Sequence, residues 1–99
     1  MAITMLAKSI LFAGMVVPLL AQTGSEEVAA HARAAQQAER RNDFHTAVSE
    51  YGKAAKLLPQ NAEAQSNLGV ALYFDHDLAR SIAVFRRAMT LNPKLFTPH

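Results

Sequence analysis

Cysteine and tryptophan are both absent from these 99 residues. Without thiols the chain has no disulfide staple, no thiolate nucleophile and no lipid-modified cysteine. Glycine and proline number four each. Gly14 lies in the apolar N-terminal stretch, so the remainder has little of the backbone freedom that active-site loops draw on. An excess of charge is also missing. The formal net charge is +2, and setting Lys8 aside leaves nine basic against eight acidic side chains. A nucleic-acid footprint or a membrane-coating surface needs basic residues gathered on one face. The adjacent pairs Arg40 with Arg41 and Arg86 with Arg87 do not meet that need, because helical neighbours point about 100° apart; they are expected as solvated edges. No segment alternates with the period of two that a strand requires.

Reactive constellations are missing too. His31, His45, His76 and His99 stand 14, 31 and 23 residues apart, so no two share a helical turn, whereas a zinc site normally shows a close ligand pair. There is no nucleophile-elbow serine, no phosphate-cradling glycine loop and no carboxylate pair with an obvious pocket. The expectation is a protein without catalytic residues, metal or cofactor.

What the chain does have is internal repetition. Shifted by 34 residues it falls onto itself without a gap: Asp43 meets Asp77, Ala54 meets Ala88, Leu57 meets Leu91 and Pro59 meets Pro93. Conservative pairs fill the intervals, among them Ala35 with Gly69, Phe44 with Leu78, Ala47 with Ser81, Val48 with Ile82, Tyr51 with Phe85 and Lys53 with Arg87. A 34-residue period is the unit of a helix-turn-helix solenoid, an architecture whose stacked surface holds other proteins.

Ahead of the repeats, Lys8 precedes an apolar run from Ser9 to Leu20, and Ala21 follows as a small residue. This reads as a secretory signal peptide over residues 1–21, cleaved after Ala21. An uncleaved membrane anchor is the alternative, although the run is shorter than the ~18–20 residues a spanning helix needs. Residues 22–25 read as a polar linker, with Ser25 capping a helix from Glu26 to about Arg41. Asn42 ends that helix in the left-handed conformation and Asp43 caps the next, from about Phe44 to Leu57, whose apolar face carries Phe44, Val48, Tyr51, Ala55 and Leu58. Pro59 stops it and Asn61 caps a third helix, Ala62 to Phe74, with Leu68, Val70, Ala71, Leu72 and Phe74 on a wide apolar face. After the turn at Asp75 to Asp77, a fourth helix carries Leu78, Ile82, Phe85, Ala88, Met89 and Leu91, up to Pro93. Small residues at the crossings (Ala35, Gly69, Ala54, Ala88) face large ones (Leu68, Leu72, Tyr51, Phe85), as closely packed antiparallel helices require.

In this pattern the chain resembles the tetratricopeptide repeat family. The second repeat, 62–95, carries the resemblance in Leu68-Gly69, Leu72, Phe85, Ala88 and Pro93; the first, 28–61, shows Ala34-Ala35, Ala38, Ala47, Tyr51, Ala54 and Pro59. Departures are Ser81 in place of alanine, His76 in place of glycine or asparagine, and Gly52 inside a helix, at a cost of roughly 1 kcal/mol relative to alanine. The resemblance implies an all-α fold of two stacked hairpins in a right-handed superhelix, with a concave surface lined by the first helix of each. The partner-facing residues it implies are Gln36, Glu39 and Arg40 on the first helix and Glu63, Ser66, Val70, Tyr73 and Phe74 on the third. Val70, Tyr73 and Phe74 would grip an extended segment or an amphipathic helix, or else pack against a further repeat. The carboxylate clamp of some family members does not carry over, because Ala32 and Gln36 stand where a basic and an amide side chain belong.

The functional expectation is an exported interaction module, periplasmic or secreted, or membrane-anchored if the leader stays. It binds another protein or peptide, and not nucleic acid. The alternative is the N-terminal fragment of a longer repeat protein, an enzyme or envelope-assembly factor, since residues 96–99 resemble the start of a third repeat. Solenoid units bury their apolar faces on their neighbours, so the open last helix is expected to drive self-association or poor solubility.

Overall fold

A computed structural model of the chain describes residues 16–96. Most of the expected leader and all but one residue of the expected third-repeat opening lie outside the described residues. Four helices follow one another: α1 Val16–Arg40, α2 Phe44–Leu57, α3 Ala62–Phe74 and α4 Leu78–Leu91, with a 3-10 turn at Pro93–Phe96. Each packs antiparallel on its chain neighbour, so α1 with α2 and α3 with α4 form two hairpins, and α2 joins them by packing on α3. No strand occurs among the described residues. This is an all-α helical-repeat fold.

The 34-residue period is reproduced in the backbone. Asn42 and His76 both take left-handed conformations, at φ 59° and 66°. The amides that follow them turn back to the preceding helix, Asp43 N to the Ala38 carbonyl at 2.8 Å and Asp77 N to the Leu72 carbonyl at 2.9 Å. Both aspartates then accept the amide three residues on, from Thr46 and from Arg80, each at 3.2 Å. Asn61 caps α3 in the same way through Ala64 N at 2.9 Å. Each cap satisfies an amide that would otherwise be orphaned at a helix start.

One segment differs from expectation. Residues 22–25 form no linker loop; they lie inside α1, and Ser25 caps nothing because the helix is already under way. A single glycine costs a helix only about 1 kcal/mol. Gly24 stands among good helix formers, so the helix absorbs it.

The core is built from small residues. Ala35, Ala38 and Ala47 are fully buried where α1 meets α2, and Leu72 is the largest side chain buried completely. In the second hairpin the contact is tighter still. A Cβ added at Gly69 would lie 2.9 Å from the Phe85 ring. The Ser81 hydroxyl, at the repeat position that Ala47 holds in the first hairpin, donates to the Gly69 carbonyl at 2.8 Å. That bond satisfies a buried polar group that would otherwise destabilise the crossing. Arg87 reaches beyond its own hairpin and donates to the Pro59 carbonyl at 2.9 Å. The expected apolar faces are only partly buried. Leu58 lies past the end of α2, and it, Val70, Phe74, Leu78, Ile82 and Met89 remain exposed.

Two outcomes follow from this geometry. Gly69→Ala should lower unfolding stability by ~1–3 kcal/mol through overpacking, and adding Phe85→Leu should recover part of the loss in a double-mutant cycle read by urea denaturation. His76→Gly should raise stability by about 0.5–1 kcal/mol, because the left-handed conformation penalises a side chain; an unchanged or lower urea midpoint would contradict it.

Candidate functional site

The residues predicted to face a partner come from α1 and α3, and the structure separates them into two groups. Glu63 and Phe74 stand at opposite ends of α3, about 16 Å apart along its axis at 1.5 Å per residue. At the C-terminal end the aromatics gather. Phe74 stacks on Phe44 of α2 with ring centroids 5.1 Å apart, and Tyr73 meets Phe74 edge-on at 5.4 Å. Both geometries suit aromatic quadrupoles. Tyr73 and Phe74 each keep about half of their surface exposed, and Val70, one helical turn before, is also open. The three form a continuous apolar patch on one side of α3, braced from below by Phe44. Phe44 was expected only as packing, and its part in the patch has no signature in the sequence, since thirty residues separate it from Phe74.

Near the other end of α3, a shallow cleft of about 170 Å³ opens between Val28 and Ala32 of α1, Tyr51 of α2, and Glu63 and Asn67 of α3. No basic side chain lines it, and Glu63 contributes negative charge. A terminal carboxylate would meet repulsion there. Ser66, half-buried, lies on α3 between the cleft and the aromatic patch.

Of the α1 candidates, Gln36 and Arg40 are exposed and Glu39 is half-buried. Glu39 faces the Tyr51 phenol. Burial, helped by the Glu39 carboxylate, raises the Tyr51 pKa well above the usual phenol range, so the hydroxyl stays protonated and donates. A second groove, about 640 Å³ and largely apolar, runs between Gly24, Ser25, Val28 and Ala29 of α1 and Leu57 and Leu58 at the end of α2. It exists because α1 continues through the segment expected to be a loop.

The pairing of α1 with α2 also contains a polar contact that sequence reasoning missed. His31 Nδ1 donates to Glu50 Oε2 at 2.7 Å, both side chains being largely buried, and Lys53 reaches the other carboxylate oxygen at 3.3 Å. The hydrogen bond from His31, with a further one from Lys53, holds the Glu50 pKa below its ordinary value of 4.5 despite partial desolvation. At α2's start, hydrogen bonds from the Thr46 hydroxyl and amide lower the pKa of Asp43 likewise. Among the described residues no group of three metal-ligating side chains comes together, and no helix is long and apolar enough to cross a membrane.

A depressed carboxylate pKa stabilises the folded chain at pH values above the unfolded value, and the contribution is lost as pH falls through the folded one. Thermal stability should therefore decline below about pH 4.5 as Glu50 protonates. Glu50→Gln should lower the melting temperature at neutral pH and flatten that acid limb. An acid limb identical to that of the unaltered chain would remove Glu50 as its source.

A family model described as TPR repeat matches residues 40–74. The matched stretch takes in α2 and α3, the second helix of one hairpin and the first of the next, so it spans the interface where the repeats stack. Repeats of this family generally mediate protein–protein interaction and are typically non-catalytic. No curated protein matches the chain.

Proposed function

We propose that this chain is an exported, non-enzymatic interaction module that takes a partner polypeptide on the surface formed by α1 and α3. The observation that carries the reading is the exposed patch of Val70, Tyr73 and Phe74. Isolated apolar side chains on a surface are ordinary, but a contiguous aromatic group fixed by stacking is a ready anchor. The stacking on Phe44 holds Phe74 in place before a partner arrives, which reduces the ordering cost of binding. Gln36 and Arg40, exposed on α1, would supply polar contacts, while the acidic cleft around Glu63 and Asn67 disfavours carboxylates and suits amides or basic groups. Export is supported by Lys8 and the apolar run from Ser9 to Leu20 followed by Ala21, the charge and hydropathy pattern of a secretory leader. The product would work in the periplasm or outside the cell, and the absence of thiols suits such a compartment.

Crosslinked capture of envelope polypeptides by the tagged chain tests the patch. Tyr73→Ser should reduce capture by about tenfold, the loss expected when one anchor worth ~1.4 kcal/mol is removed. Phe74→Ser should do so at least as strongly. Helicity by circular dichroism should stay unchanged for Tyr73→Ser, since that ring is exposed. Full capture by both variants would exclude the patch.

A further inference from the structure

The 34-residue shift can be applied to surfaces as well as to residues. On α2 the side chains Phe44, Val48, Tyr51 and Ala55 lie on the face that receives α3; Tyr51 and Ala55 are 6% and 5% exposed. Their counterparts on α4 are Leu78, Ile82, Phe85 and Met89, equally apolar, yet Leu78, Ile82 and Met89 are 53%, 52% and 45% exposed. Their spacing of four, three and four residues keeps them on one helical stripe. The turn that launches α3 across α2 is repeated after α4: Leu58 N to the Ala54 carbonyl and Asn61 N to the Leu58 carbonyl correspond to Asn92 N to Ala88 and Leu95 N to Asn92. The second hairpin thus presents a helix-receiving face of the kind that α3 covers in the first.

The helix that fills the equivalent face indicates the chemistry of the occupant. Residues 61–75 hold two carboxylates, Glu63 and Asp75, and no basic side chain. On α2 this segment meets a histidine, Asp75 Oδ2 lying 3.6 Å from His45 Nδ1. Beside the stripe on α4 the charge is a single arginine. Arg80 and Arg87 lie on the opposite side of that helix at 100° per residue, Arg80 engaging Asp77 at 3.5 Å and Arg87 the Pro59 carbonyl at 2.9 Å. Arg86 flanks the stripe, about 70° around the helix from its centre line at 100° per residue.

A second copy of this chain fits less well. Two α4 stripes placed face to face would oppose their Arg86 flanks, and three half-exposed side chains per copy fall well short of the ~1,200 Å² that a stable dimer buries. The α1 of another copy offers Ala34 where α3 has Leu68, and Arg40 where α3 has Phe74, so it brings less apolar bulk and more positive charge.

We infer that the stripe of Leu78, Ile82, Phe85 and Met89 is a second docking site, distinct from the aromatic patch on α3, and that it receives an acidic amphipathic helix of a partner protein. The helix lies across α4 as α3 lies across α2, with its leucine and small residues on the stripe and a carboxylate toward Arg86.

A titration of the ¹⁵N-labelled full chain with a blocked synthetic peptide of residues 61–75 tests this. Saturable amide shifts centred on Ile82 and Met89 are expected, with a dissociation constant of ~0.1 mM, since a single-helix contact must also order the peptide. Ile82→Asp, an exposed position that leaves the fold intact by circular dichroism, should weaken binding at least about tenfold. Arg86→Glu and 0.5 M salt should each weaken it several-fold through the lost charge attraction. Absence of saturable shifts, shifts confined to α1 and α2, or binding indifferent to Ile82→Asp would overturn the assignment. So would a dimer in sedimentation that Ile82→Asp dissociates, which would give the face to a second copy.

Discussion

Helix axes can approach only as closely as the side chains between them allow, and in this chain that limit is set by residues with almost no side chain at all. Ala35 and Ala38 face Ala47 in the first hairpin, and Gly69 lies against Phe85 beside Ser81 in the second. Everything else depends on these crossings. The larger residues Leu68, Leu72 and Tyr51 fill the space between hairpins only because each hairpin is closed so tightly that α2 and α3 are brought together. A core of this kind gains modest energy from each contact, since alanine buries little apolar area. The fold therefore relies on many well-formed caps and turns in addition to bulk burial.

The two hairpins use the same backbone with different polar fittings. Where the first has His31 and Glu50 bonded across α1 and α2, the second has Gln65, nearly buried, and Val84 packed on the core. Where the second ties Ser81 to the Gly69 carbonyl, the first has Ala47, which asks for no partner. The divergence falls at positions where either solution satisfies the interior. The invariant positions are the ones where backbone conformation leaves less choice, such as the capping aspartates and the prolines that end α2 and follow α4.

The limits of α2 and α3, the caps at Asp43 and Asn61, and the left-handed residue Asn42 were all readable from residue type and spacing. Each is a local effect whose cause lies within four residues. The loop expected at residues 22–25 was misread because glycine lowers helical stability by an amount that good helix formers on both sides easily offset. The apolar face of α4 was read correctly as apolar but is not core. Periodicity reports what a face is suited to contact, and only the presence of a neighbour decides whether it is covered. At the candidate site, Tyr73 and Phe74 announced themselves as large residues on one turn of α3. Their support by Phe44, and the pairing of His31 with Glu50, bring together residues far apart in the chain and leave no local trace.

The bond from Arg87 to the Pro59 carbonyl lies at the joint between hairpins, where the backbone leaves the helical ladder and the same carbonyl also accepts from Gln65 Nε2 at 3.5 Å. A guanidinium anchored on α4 thereby adds a polar restraint between the two units. Without that clasp the angle between the two units would rest on the packing of α2 against α3 and on the single core that both hairpins share.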